Sequence, residues 1–565
     1  MSGTAPTTRP LGHANRHAKP PAEPILAQIA GIAELFVWLL VLRGFFLPLF
    51  IIPTGSMAET LYGAYSDATC PNCGFSYPVG VSPDPRSVLA FLECPNCRWQ
   101  QPTTQISASG NLGARVNEKS GDRIAVHGWP YVLGGVFGPR RWDVVVFRNP
   151  NVADQNYIKR LIGLPGETIE IIDGDIWVTL PGETDPRPAR KPHHVQETLW
   201  IPRYDHDYIP RSASTDRIDS NRPRFSEFRP RWAVVGEGGA WNDLDTRAPR
   251  FAGKGSARQV IRFVTGPEGT SEPGEITDTL GYNAYERFQQ LVEDPTTGRR
   301  SVMTMVGRRA APPPHAVTDV RLIAEITFAD GDGAVEFAIT KYDDAFFARL
   351  DRSGKLTLEH AKGLDGQREA WGTATVDTSR AVRLSLGHAD YHVIVEVNDR
   401  AVVESPASYA VSAETARSRA GRGPFPTVQI SAERCEAQLR HVRVDHDQYY
   451  SSDLGGAIRA VQGRPIKLMP DSYLVLGDNS NHSADARVWT EPSGVDRTSK
   501  ERDEVGSHLL PRWAEGRYQI GTVPGDQLIG RAFLVYWPGF YPVFPNGTPQ
   551  QPDLIPDTGR IRWIH

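Results

Sequence analysis

The sequence predicts a mainly β protein carrying one apolar N-terminal helix, on three observations. Apolar and polar residues alternate along short runs, parted by Gly- and Pro-containing turns, over residues 116–180 and again from about residue 317 to 446. An almost wholly apolar stretch, ILAQIAGIAELFVWLLVL, fills residues 25–42. Four of the five cysteines fall into two Cys-Pro-Asn-Cys boxes, at 70–73 and 94–97.

At 565 residues the chain exceeds one ordinary core, so two or three domains are expected. Hydrophobic residues at 40% and charged residues at 23% are ordinary for a folded protein. The net charge of −4, with no block of one sign, argues against a nucleic-acid binder. Five cysteines are too few for a disulfide-stapled scaffold.

Residues 1–24 are rich in Pro, Thr, His and Ala without an apolar period and are read as disordered. The apolar stretch that follows, taken as residues 25–43, is read as a single transmembrane helix. Eighteen helical residues rise about 27 Å, close to a bilayer core of about 30 Å. Glu34 is the exception, and one carboxyl at mid-span costs about 2–3 kcal/mol on insertion scales. A cleaved signal peptide fits less well, since the segment starts late and lacks a small-x-small exit; a buried core helix is the other reading. Arg9, Arg16 and Lys19 precede the span and only Arg43 follows closely. That bias favours a cytoplasmic N-terminus, with the remaining chain across the membrane.

Beyond the span, an apolar strand (FFLPLFII) runs into the turn Pro53-Thr54-Gly55-Ser56-Met57, and RIAVHGW, WDVVVFRNP, YIKRLIGLPG and ETIEIIDGDIWV read as antiparallel strands. Residues 44–68, 106–180 and 466–538 are assigned to one antiparallel β core. Residues 69–105 form a cysteine-bearing insert, and 181–465 a large insertion with a β-sandwich over about 228–446. Residues 539–565 are a C-terminal tail.

In the small insert Cys70, Cys73, Cys94 and Cys97 stand as two knuckles about twenty residues apart, a spacing suited to a tetrahedral zinc ribbon. Four protein ligands leave no open position, so the metal's role is structural. The alternative is a pair of disulfides, which an exported location permits. Cys435 stands alone and is read as a half-buried small residue.

Three separated segments carry the chemistry: IPTGSMAETL around Ser56, YIKRLIGLPGE around Lys159, and YLVLGDNSNHSADARVW, which holds Asp478, Asn479, Ser483, Asp485 and Arg487. Each alone reads as a turn or a solvated strand face. Their order and flanks resemble the type I signal peptidases, which remove leader sequences from exported proteins with a Ser–Lys dyad. In that family a membrane segment leads to a Pro-Ser-Gly-Ser-Met turn, a Tyr-Ile-Lys-Arg strand, and a Gly-Asp-Asn box followed by Ser-x-Asp-Ser-Arg. The run VPGDQLIGRAFLVYWP resembles the family's closing strand. Two departures are Met57-Ala58-Glu59-Thr60, where the family commonly has Met-x-Pro-Thr, and Ala486 in place of a serine.

The resemblance implies Ser56 as nucleophile and Lys159 as general base. It implies an oxyanion hole from the Ser56 backbone N–H and the Thr54 hydroxyl, a Ser483 hydrogen bond orienting Lys159, a supporting Asp485–Arg487 ion pair, and Asp478 and Asn479 holding their loop. Small residues before the cut would be read by shallow apolar pockets near Ile51, Ile52, Pro53, Val144 and Val146. The substrates would be exported preproteins, and no cofactor is needed for catalysis. Chemistry agrees on independent grounds. A serine hydroxyl needs a neighbouring base, and lysine serves only as the neutral amine, which costs about 4–5 kcal/mol at pH 7. Burial depresses a lysine by about 3–5 pH units, enough to meet that requirement. Phe45, Phe46 and Trp142 are candidates for a face lying on the bilayer.

The large insertion resembles concanavalin-like, laminin-G-type jelly rolls in strand pattern. Trp241, Trp371, Tyr342 and Tyr391 either stack on carbohydrate or fill the core; His360, His388 and His392 are read as surface residues. Asp330 and Asp332, in FADGDGA, are read as a hairpin turn rather than a calcium site. Two rivals remain: a self-cleaving Ser–Lys protease of the repressor type, and a membrane-anchored binding protein with an inactive core. The expected location is the inner (cytoplasmic) membrane, single-pass, with the catalytic part on the extracytoplasmic side.

Overall fold

A computed structural model describes residues 3, 25–41, 47–80, 88–89, 91–102, 119–151, 154–211, 230–265, 273–274, 276–293, 300–306, 315–422, 424–452, 459–489, 508–537, 540–541, 555–556 and 558–565. Helix α1 spans Ile25–Val41, 17 residues. Among the described residues no helix is long and apolar enough to cross a membrane. Residues 4–24, together with Arg43, Phe45 and Phe46, lie outside the described residues.

The rest is mainly β. Strands β1 (Leu49–Ile51), β2 (Arg123–His127), β3 (Val144–Arg148) and β4 (Asn156–Gly163) open the chain's first sheet. The hairpin β5 (Thr168–Ile172) and β6 (Asp175–Thr179) follows. Its turn is made by Asp173 and Gly174, both at positive φ, as the IIDGDI pattern predicts. Far along the chain come β7 (Val320–Lys341), β8 (Val428–His446), β9 (Ser472–Leu476), β10 (Val523–Pro524), β11 (Leu528–Trp537) and β12 (Arg562–Trp563).

One antiparallel sheet runs β1-β2-β11-β3-β4-β9-β10, with β12 added on β11. Strands from both ends of the chain thus interleave across nearly the full sequence. The apolar faces of β3 and β4 meet those of β9 and the β5–β6 hairpin in one core that includes Val145, Leu161, Ile169 and Val475. The large insertion leaves after β6 and returns beside β5, where Ile169 pairs with Ile466 and Thr168 with Lys467. A closed junction of this kind lets a long insertion leave and return without opening the core.

Among the described residues the insertion builds a second sheet system of thirteen strands around the paired strands β7 and β8. The first half of β7 pairs with Val382–Gly387 and its second half with Asp344–Asp351, so the strand passes from one layer to the other. The passage falls at FADGDGA, which is a bulged stretch of continuous strand and not a hairpin: Asp330 faces Glu436 and Gly331 faces Cys435. Gly331 has φ +98°, and a Cβ there would lie 2.3 Å from the Arg434 carbonyl oxygen. Turn-forming composition here supplies a bend. Asp330 pairs with Lys254 and Asp332 with Arg434, both in solvent.

His388 is buried rather than superficial, bonded to Asp319 at 2.6 Å and Tyr409 at 3.0 Å. His360 and His392 are half-buried and pair with Asp344 and Glu404. Trp241 and Tyr391 are buried in the sandwich core, Trp371 is half-buried against it, and half-buried Tyr342 donates through its hydroxyl to Asp173. Cys435 is fully buried. Trp142, expected at a bilayer surface, is 3% exposed and packs in the core shared by β3, β4 and β9. Its N–H donates to Leu161 O while its carbonyl accepts from Arg160.

Candidate active site

Ser56 lies in the turn that ends β1. The turn is tight because Ala58 N–H returns to Gly55 O at 3.0 Å and Leu61 N–H to Met57 O at 2.7 Å. Met57 and Leu61 are fully buried and anchor the turn in an apolar cluster, leaving Ser56 partly open. Thr54, two residues before it, is exposed.

Lys159 lies in the middle of β4, opposite Val145 of β3. Strand alternation sends Lys159 and Arg160 to opposite faces. Lys159 reaches the turn: Nζ and Ser56 Oγ are 2.5 Å apart, with the ammonium donating. As the neutral amine the same nitrogen accepts the serine proton. Lys159 is 4% exposed, and burial pulls its pKa down from 10.5 to about 8. Asp485 and Asp478 resist that fall, and Arg487 adds to it.

Arg160, on the other face, is fully buried and binds Asp478 through Nε (2.9 Å) and Nη2 (2.8 Å). Asp478 also accepts from Thr60 Oγ1 at 2.6 Å and Tyr450 OH at 3.2 Å. One carboxylate therefore ties the Lys159 strand, the Ser56 turn and the loop after β9 together. Asn479 donates through its backbone to Ser56 O (3.1 Å) and through Nδ2 to Gly55 O (3.0 Å). Asp485 and Arg487 form a buried bidentate pair at 2.9 and 2.7 Å, and Gly477 N–H donates to Asp485 at 3.0 Å. Burial pushes the Asp485 carboxyl up, but the Arg487 charge and these hydrogen bonds outweigh it, so the group lies below the usual carboxylate range.

Ser56, Lys159, Asp478, Asn479, Asp485 and Arg487 thus meet, although they span more than four hundred residues of chain. Two expectations fail. Ser483 is buried with its Oγ unpartnered, so it makes no bond to Lys159; the oxygen instead crowds Gly477, 2.2 Å from where a Cβ would stand. Ile52, Val144 and Val146 are packed core, 3%, 1% and 2% exposed, shared with Met57, Ala532 and Ile564; Pro53 is exposed and Ile51 lies at the edge. Inward-facing strand residues close on one another unless something holds them apart. Two residues without a sequence signal also reach this site: Tyr282, whose ring lies over Gly55, and Asn283, which donates to Asn479 Oδ1 at 2.9 Å.

The four cysteines of the small insert converge. Cys70–Cys97 and Cys73–Cys94 sulfurs are 3.6 and 3.7 Å apart, and all four lie within 4.8 Å of one another, unbridged. Four thiolates at about 2.3 Å from a tetrahedral zinc stand about 3.8 Å apart, so the donor set fits that ion. No disulfide joins them here, the sulfurs standing well beyond a bridge's length of about 2.05 Å.

The family model "Signal peptidase, peptidase S26" matches residues 109–226, which include Lys159 but neither Ser56 nor the Gly477–Arg487 loop. Signal peptidase I of Rickettsia typhi is 53% identical over 51 residues, 9% of this chain and 19% of that protein. Signal peptidase I of Rickettsia prowazekii is 55% identical over 47 residues, 8% and 18% of the two chains. The matched segment thus spans about a fifth of the length of these curated relatives. Among solved structures, carbohydrate binding module CBM66 from Bacillus subtilis aligns with 38% of this chain and 94% of its own at 11% identity, with a TM-score of 0.22.

Proposed function

We propose that this chain is a membrane-anchored serine endopeptidase of the signal peptidase I class, removing N-terminal signal peptides from exported preproteins through a Ser56–Lys159 dyad. The observation that carries the reading is the 2.5 Å contact between a buried lysine, drawn down to about 8, and a serine on a tight turn. In the first half-reaction Ser56 Oγ attacks the scissile carbonyl carbon while neutral Lys159 takes its proton. The C–N bond then breaks, the leaving amine receives that proton from Lys159, and an acyl ester remains on Ser56. Water, deprotonated by Lys159, attacks the ester and restores the serine. The Ser56 N–H and the Thr54 hydroxyl are assigned to the developing oxyanion.

The membrane assignment draws on two features of one sheet end. Helix α1 leads into β1, and Pro48 O accepts from Val126 N near the end of β2. From that end project α2 (Trp129–Leu133) and the turn after it, with Val132, Leu133, Val136 and Phe137 at 86%, 65%, 76% and 52% exposure. An apolar cluster left in the open suits the surface of a bilayer better than water. Residues 25–43 are proposed as the single span, with the catalytic core outside the cytoplasm.

Ser56→Ala, assayed for leader removal from an exported precursor in detergent, is expected to lose cleavage by about 10⁴-fold or more. Cleavage retained by this variant would exclude Ser56 as the nucleophile and with it the Ser56–Lys159 dyad. For the cysteine insert we propose a structural zinc. Metal analysis of the full chain should find one zinc per molecule and four unoxidised thiols among Cys70, Cys73, Cys94 and Cys97. Oxidised thiol pairs without metal would refute it.

A further inference from the structure

The segment Thr277–Asn283 belongs to the large insertion, yet it lies on the nucleophile turn. The Tyr282 ring occupies the space over Gly55: a Cβ on that glycine would come within 2.0 Å of Tyr282 Cε1. Tyr282 is 1% exposed, stacks on Tyr62 with planes 9° apart, and donates through its hydroxyl to Ala64 O at 3.1 Å. Next to it, Asn283 and Asn479 join in a reciprocal amide pair: Asn283 Nδ2 donates to Asn479 Oδ1 at 2.9 Å, and Asn479 Nδ2 to Asn283 Oδ1 at 2.7 Å. Asp278 accepts from Asn481 Nδ2 at 2.7 Å, fixing the other end of the same loop. The strap is backed by the cysteine insert, whose Arg98 donates to Thr277 Oγ1 at 2.9 Å.

We infer that Asn283 is a positioning residue for the oxyanion donor, so that the large insertion completes the active site; this rests on the peptidase reading above. An amide side chain can present either its oxygen or its nitrogen in a given direction. The pair with Asn283 holds Asn479 in the orientation in which Nδ2 faces Gly55 O, 3.0 Å away. Gly55 C=O and Ser56 N–H belong to one trans peptide unit and point in opposite directions. Holding the carbonyl on the Asn479 side therefore aims the Ser56 N–H to the other side, where the substrate oxygen must develop its charge. Gly55 O also accepts from Ala58 N–H at 3.0 Å; with Asn283 gone, Asn479 can turn its oxygen toward Gly55 O, so the carbonyl keeps one donor, loses the second, and the peptide is less firmly held.

The test is steady-state cleavage of a precursor by the full chain carrying Asn283→Ala, Asn283→Asp, Asn479→Ala, or Asn283→Ala with Asn479→Ala. Asn283→Ala should lower kcat by about tenfold or more, since loss of one oxyanion donor lowers it about 10²–10³-fold. KM should stay within about twofold and the pH midpoint of kcat/KM should not move, because Asn283 does not act on Lys159. Asn283→Asp keeps the volume but lacks the donor, so it should show the same loss. The double variant should be no slower than Asn479→Ala alone, as expected of two groups acting in series. A parental kcat in Asn283→Ala, a loss absent from Asn283→Asp, or losses that multiply in the double variant would overturn the assignment. Failure of the unsubstituted chain to cleave would instead count against the peptidase reading, so the two outcomes stay separate.

Discussion

Lys159→Met is expected to end precursor cleavage while making the protein more stable at pH 7. Methionine fills the same volume without an amine, so Ser56 keeps its place and loses its base; turnover should fall by about 10⁴-fold or more. The stability effect follows from where the ammonium sits. The folded value of about 8 lies below the ordinary 10.5, so under pH 8 the fold holds a charged amine in a groove that disfavours it. That burden is about 3 kcal/mol, present in full below pH 8, and it fades as the pH rises from about 8 toward 10.5. Removing it should raise the unfolding midpoint in urea at pH 7, less the lost bond to Ser56, with the gain shrinking toward pH 10. A variant less stable than the parent at pH 7 would mean that the ammonium is well accommodated and a poor base.

The second large effect is on the fold. Asp478→Ala is expected to destabilise the chain by about 3–5 kcal/mol, because it strands Arg160 at 0% exposure without its carboxylate. It also leaves Thr60 and Tyr450 without their acceptor, loosening the turn that carries Ser56. Denaturant midpoints measure this directly, provided the slope is unchanged. Replacing both members, Arg160→Met with Asp478→Leu, should be far less harmful, since no charge is then buried alone. A single-variant loss under about 1 kcal/mol would show that Arg160 finds water or another partner.

Much of the Ser56–Lys159 contact was legible from sequence because its residues sit at turns and strand centres with distinctive neighbours. Ser56 after an apolar strand and Lys159 in YIKRLIG are local patterns, and a period of two fixes which way each side chain points. The same alternation could have assigned Arg160 to the opposite face and sent it to Asp478, the acid of the next box. The strap at Tyr282 and Asn283 offered no such signal: its contacts reach across 218 residues to Ala64 and 196 residues to Asn479, and neither residue type is unusual in a loop. The Asp-Gly-Asp-Gly run misled because bends inside a strand use the same residues as turns between strands. Ser483 and the expected pocket residues misled differently. A resemblance transfers a residue's place along the chain, whereas the rotamer of Ser483 and the closure of Ile52 on Val144 depend on everything packed around them.

In the proposed reaction the Lys159 amine works uncharged, and Asp478, Asp485 and Arg487, drawn from two buried pairs, act on it. Their carboxylates favour the ammonium, and each is occupied by its own arginine, which leaves desolvation to prevail at Lys159. The pH dependence of kcat/KM for precursor cleavage reports this balance in the free enzyme. A rising limb with its midpoint near 8, lost together with activity in Lys159→Met, is the predicted result. A limb centred near 6.5, or a rate that does not change between pH 6 and 9.5, would mean that some group other than a neutral lysine takes the serine proton.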